Sequence, residues 1–213
     1  MAGEPQPPFP PAVLNRDLPA AELAQLAAHG DPHVRAAVAG HPNTPAPVLG
    51  QLAAEFPREV LCNPALPLLR LADPQLLRAW PVSAFQAFVR QPELPAWLRT
   101  FLIRHGPVEQ LVLLAARPDL SGPEVALLAT HPAWLVRARI AARPELPQAL
   151  LLTLTADPDY GVRLALASRT DLPAQSVNLL RRDISRFVRQ VLEQTQRSAL
   201  TSTVLGLGTL PRR

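Results

Sequence analysis

Residues 145–167 read ELPQALLLTLTADPDYGVRLALA, a stretch that holds two helices and the punctuation between them. Counting from Leu146, apolar residues return five and eight places on as Leu151 and Leu154, the spacing of one helix face. Sixteen and twenty places on come Val162 and Leu166, whose fourfold spacing is again helical. Pro147 suits a first helical turn, where its missing N–H has no partner to lose. Asp157-Pro158 places a capping carboxylate ahead of the second helix, beside its free amides and positive pole.

The same frame recurs outward from this stretch. Its leading Leu position falls at Leu18, Thr44, Leu66, Leu94, Leu120, Leu146 and Leu172, in steps of 26, 22, 28, 26, 26 and 26 residues. The first-helix pair repeats as Leu23/Leu26, Leu49/Leu52, Val125/Leu128 and Val177/Leu180; the second repeats as Val34/Val38, Val136/Ile140 and Val188/Leu192. X-Pro steps at His41, Asn63, Gln91, Arg117 and Arg143 close the second helices, because the residue before proline is pushed out of helical conformation. Two helices in one such unit are each roughly eight to eleven residues long and marginal alone, so each unit needs neighbours to bury its apolar faces. The predicted fold is all-α: a right-handed α-solenoid of about seven two-helix repeats.

The units that begin at Leu18 and Leu146 resemble the leucine-rich repeat variant (LRV) repeat. The residues that carry the resemblance are Leu18-Pro19, Leu26-Ala27, Asp31-Pro32, Val34-Arg35, Ala37 to Ala39 and His41-Pro42, with Asp157-Pro158-Asp159, Val162-Arg163 and Ala165 to Ala167 in the later unit. The resemblance extends over about residues 17–195, is strong in units one, five, six and seven and is degraded between 55 and 115. It implies a HEAT-like superhelix in which α-helices alternate with short 3-10 helices. Some members carry a Cys-ligated iron–sulfur module before the repeats; residues 1–16 hold no Cys, and no cofactor is expected here.

Composition agrees with short, punctuated elements: 26 Pro and 9 Gly among 213 residues, nearly half of them hydrophobic. Every basic residue is arginine, and the formal charge of +4 is uneven, with +5 on residues 173–213 and −1 on the rest. The single Cys62 excludes an intramolecular disulfide and a Cys-rich metal site. No apolar run reaches the roughly 18 residues of a membrane span, so a cytoplasmic protein with no membrane partner is the expectation. The sequence contains no G-x-S-x-G, G-x-x-x-x-G-K or H-E-x-x-H, and no enzyme is predicted.

Stacking turns each repeat position into a column. His29, Glu55, His105, His131, Asp157 and Asp183 form one, read as caps of the second helix because repeats about 8–10 Å apart cannot share a metal ion. Arg35, Arg137, Arg163 and Arg189 form another, read as a ladder to acids or carbonyls of the adjacent unit. Arg117, Arg143 and Arg169 sit where cations favour the negative helix pole. Arg181, Arg182, Arg186 and Arg189 put a basic face on the last unit. The candidate binding residues are therefore Arg117, Arg143, Arg169, Arg181, Arg182, Arg186 and Arg189.

The domain organisation expected is a Pro-rich flexible leader at 1–16, the array at 17–197 with an irregular segment at 44–94, and a tail at 198–213. Trp80, Phe85 and Phe88 beside the irregular segment either form an exposed patch or fill space between mismatched helices. The leading functional reading is a noncatalytic protein-interaction or scaffolding module. A nucleic-acid binder using the arginine columns and the basic last repeat is the alternative. A HEAT-like DNA glycosylase needs an acid and an aromatic in one cleft, and the sequence offers no matched motif for it.

Overall fold

The computed structural model describes residues 15–206, with side chains up to residue 201, and every regular element within them is helical. The bulk of the expected leader and residues 207–213 lie outside the described residues. The chain divides into two compact units at Pro95/Ala96.

The first unit runs α1 (Ala20–Leu26), α2 (Pro32–Gly40), α3 (Ala46–Leu52), α4 (Pro57–Leu61), α5 (Leu66–Ala72), a 3-10 turn (Leu76–Ala79) and α6 (Val82–Val89). The second runs α7 (Ala96–His105), α8 (Val108–Ala115), α9 (Gly122–Ala129), α10 (Trp134–Ala141), α11 (Gln148–Thr155), α12 (Tyr160–Ala167), α13 (Ala174–Leu180) and α14 (Arg186–Gly206). In the second unit α8, α10, α12 and α14 pack in one row and α7, α9, α11 and α13 in another; in the first unit α2, α4 and α6 form the equivalent row. This two-row stacking of helix pairs is α-solenoid packing.

The apolar periodicity maps onto it directly. All eight second-helix positions, from Val34 and Val38 to Val188 and Leu192, are buried to 1% exposure or less. Each such side chain contributes about 1.5–3 kcal/mol over leaving it in water. Helices of five to ten residues are too short to persist alone, so the stack rather than intrinsic propensity holds them. Where the family resemblance implies alternating 3-10 elements, both helices of each pair are α. Their first turns already close i→i−4 bonds, as from the Arg35 amide to the Asp31 carbonyl (3.3 Å), and among the described residues the 3-10 turn falls where the period slips.

The irregular segment is filled, not exposed. Trp80, Phe85 and Phe88 are buried, with ring centroids 6.1 Å apart for Trp80–Phe88 and for Phe85–Phe88. Gly50 on α3 admits the Trp80 ring: a Cβ there would stand 2.8 Å from Cδ1. At the other end, α14 runs on through the expected boundary at 197.

Candidate functional site

Two arginine systems cross the repeats. In the first, each arginine is the fourth residue of a second helix and reaches in two directions. Arg137 Nη1 donates to the His131 and Pro132 carbonyls (both 2.8 Å) in the loop entering its own helix, while Nε and Nη2 grip the Asp157 carboxylate of the next repeat at 2.7 and 2.9 Å. Arg163 repeats this on the Asp157 and Pro158 carbonyls (2.6 and 3.0 Å) and the Asp183 carboxylate (2.6 and 3.2 Å). Arg35 does so with the His29 and Gly30 carbonyls and Glu55. Arg189 keeps the loop half of the pattern, donating to the Asp183 and Ile184 carbonyls. The ladder expected of the Val-Arg position is present, and its carboxylates come from the other column.

That column corrects the capping assignment. Asp157 is not the N-cap of α12; Asp159 is, with its carboxylate accepting the Gly161 amide at 2.7 Å. Asp157 and Asp183 instead accept the amides two residues on, from Asp159 (2.9 Å) and Ser185 (2.8 Å), and turn their remaining lone pairs to the preceding arginine. His29 and His131 make the same turn through Nδ1, each accepting an amide at 3.1 Å. Only Asp31 caps as expected, accepting the His33 amide at 2.8 Å. Among the described residues no group of three or more His, Cys, Asp or Glu is placed to hold a metal ion.

Electrostatics follow the geometry. Burial pushes Asp157 and Asp183 up, but the hydrogen bonds and charges of Arg137 and Arg163 and the turn amides outweigh it, so both sit below the usual carboxylate value. The same hydrogen bonds hold Arg137 and Arg163 above the ordinary arginine value.

The second system ties helix C-termini, whose last carbonyls have no intrahelical partner. Arg143 Nη1 reaches back one repeat to the Ala115 carbonyl (2.8 Å) and that of Arg117; Arg169 Nη1 does the same to Ala141 (2.9 Å) and Arg143. These cations thus serve the pole of the preceding helix, not their own. In the first unit Asn63 Nδ2 does the job, donating to the Ala39 and His41 carbonyls (2.8 and 2.9 Å), while Asn43 reaches the carbonyls of Arg16 and Leu18 in the segment before α1 (2.9 and 3.1 Å). His41 accepts the Asn43 amide on Nδ1, so its Nε2 carries the proton toward the Asn15 carbonyl at 3.0 Å.

The free edges of these arginines differ. Arg117 clamps Asp119 through Nε and Nη2 (both 2.8 Å), and Arg169 clamps Asp171 likewise (2.9 and 2.6 Å). At the equivalent place Arg143 has Glu145, whose backbone sits at φ 55°, and no ion pair joins them. Burial without a carboxylate hydrogen bond pulls Arg143 below the ordinary arginine value. Both side chains line a groove of about 550 Å³ with Leu120, Val125, Leu146 and Leu150.

The other predicted site residues lie elsewhere. Arg181 and Arg182 follow α13 and are exposed, and the exposed Arg186 holds its guanidinium 4.9 Å over the Phe187 ring. Trp134 and Tyr160, at 43% and 56% exposure, open α10 and α12 at the register of Arg186. No helix among the described residues is long and apolar enough to cross a membrane.

Fold and ladders together define a helical repeat protein. Residues 32–54, from α2 through α3 and the residues just after it, match the model of the leucine rich repeat variant family. No curated protein and no solved structure matches the chain.

Proposed function

We propose that this chain is a noncatalytic interaction module whose second unit holds a segment of a partner protein in the groove between the α9–α10 and α11–α12 repeats. The observation that carries this reading is the groove itself: about 550 Å³, with aliphatic walls and a few polar groups, the make-up of a ligand-binding concavity. Repeat arrays bind through surfaces of this kind, because each added pair extends the same wall. Most conspicuous cations of the array are engaged in holding repeats together, which favours this reading over one in which the arginine columns face a phosphate backbone.

The test is selection of displayed random heptapeptides on the purified chain and on a Gly122→Phe variant. Gly122 lines the groove, a Cβ there meets nothing within 4 Å, and Ala46 holds the same place before a proline in another repeat. The variant therefore fills the groove without disturbing the helix. Peptides retained by the wild type and lost by the variant support the proposal; equal retention by both overturns it.

A further inference from the structure

We propose that the groove carries a carboxylate subsite, formed by the Nε and Nη2 edge of Arg143, and that the partner segment it takes presents an Asp or Glu side chain. The inference rests on the groove reading above and names the chemistry that the groove selects.

Three repeats of the chain carry the same arginine and differ in what fills its outer edge. Arg117, Arg143 and Arg169 occupy one position, 26 residues apart, and Arg143 and Arg169 both fasten one guanidinium nitrogen, Nη1, to carbonyls of the preceding repeat. In the flanking repeats the opposite edge is filled in the bidentate geometry that guanidinium and carboxylate share, by Asp119 and by Asp171. Only the middle one has no carboxylate hydrogen bond; Asp119, clamped by Arg117, reaches it through charge alone. Glu145 stands two residues on, as the aspartates do, yet its positive φ takes the chain another way, and its side chain makes no hydrogen bond or ion pair among the described residues. The arginine that is left open is also the one that lines a cavity, beside a second cation, Arg139.

A half-buried guanidinium edge in an apolar groove favours a ligand that brings its own charge and displaces little water. Asp and Glu meet this with the geometry the flanking repeats already display. Aliphatic neighbours of that acid would rest on Leu120, Val125 and Leu150.

Heptapeptides selected on the wild-type chain provide the probe. The strongest is resynthesised with each acidic residue changed to its amide, and binding to the wild type, Arg143→Lys and Glu145→Gln is measured by anisotropy. The expected result is enrichment of an acid at one position and a loss of about tenfold or more when that acid becomes Asn or Gln. Arg143→Lys, which keeps charge but not the fork, should weaken the acidic peptide and leave the amide peptide unchanged. Glu145→Gln alters an exposed side chain and removes a like charge from the groove, so it should tighten the acidic peptide about two- to fivefold even if Arg143→Lys does not fold. Selected peptides without an acid, or indifference to both the amide change and Glu145→Gln, overturn the subsite and leave the groove reading standing. Failure to retain any peptide overturns both.

Discussion

Arg163→Ala removes a side chain that makes four hydrogen bonds spanning two repeats, to the Asp157 and Pro158 carbonyls and to both oxygens of Asp183. The side chains are 11% and 5% exposed, so the ion pair is largely shielded from solvent and salt. The truncation leaves the Asp183 carboxylate with the Ser185 amide and the more distant charge of Arg189, and breaking one partner of a buried pair costs about 3–5 kcal/mol. Asp183→Ala leaves the guanidinium with the Asp157 and Pro158 carbonyls and the charges of Asp157 and Asp159, at a lower cost of about 1–3 kcal/mol. The double variant loses both charges together, and the coupling between the two positions is expected at about 2 kcal/mol. Urea denaturation of the four proteins supplies the cycle. The surface pair Arg197–Glu193, 3.8 Å apart with side chains 81% and 66% exposed, serves as its internal contrast, at about 0.3–0.5 kcal/mol. A coupling at Arg163–Asp183 no larger than at Arg197–Glu193 would refute the view that the ladder clamps the repeats.

Acid should unclamp the array. Asp119, Asp157, Asp171 and Asp183 are all held below their ordinary value of 3.8, so their stabilisation is complete above that pH and is lost as pH falls through the depressed folded values. Melting temperature is therefore predicted to be flat above about pH 5 and to drop below about pH 4, with a shallower drop in Asp157→Asn, a profile that calorimetry reads directly. Asn63→Ala removes a 2% exposed side chain and uncovers the carbonyls of Ala39 and His41; about 2–3 kcal/mol should disappear from urea stability. Gly50→Ala gains helix propensity but drives a Cβ to 2.8 Å from the Trp80 ring; the overpacking should win by about 1 kcal/mol and shift the tryptophan emission.

The repeat architecture was legible because burial imposes one rule on every unit. Val34, Val136, Val162 and Val188 read as core from their spacing and are core. The Val-Arg ladder was legible too, though its partner was not. Glu55, Asp157 and Asp183 each follow their arginine by 20 residues, a constant offset that would have named them, but Asp-Pro beside a helix start read as a cap first. The helix-end ties were hidden for another reason. Asn63, Arg143 and Arg169 all donate to carbonyls of the preceding repeat, and since any good donor of the right reach serves, the position shows no single residue type. Nor does sequence reveal the open edge of Arg143. It arises from the positive φ of Glu145, a backbone choice at a residue that does not advertise it as glycine would.

The most direct test of the functional account sets a fluorescein-labelled selected heptapeptide against single- and double-stranded DNA and RNA, by anisotropy on one preparation at about 50 and 200 mM salt. The account predicts saturable peptide binding that Gly122→Phe abolishes, and no nucleic-acid binding even at the lower salt. Tight nucleic-acid binding that collapses at the higher salt and vanishes when Arg181, Arg182 and Arg186 are replaced together would contradict it.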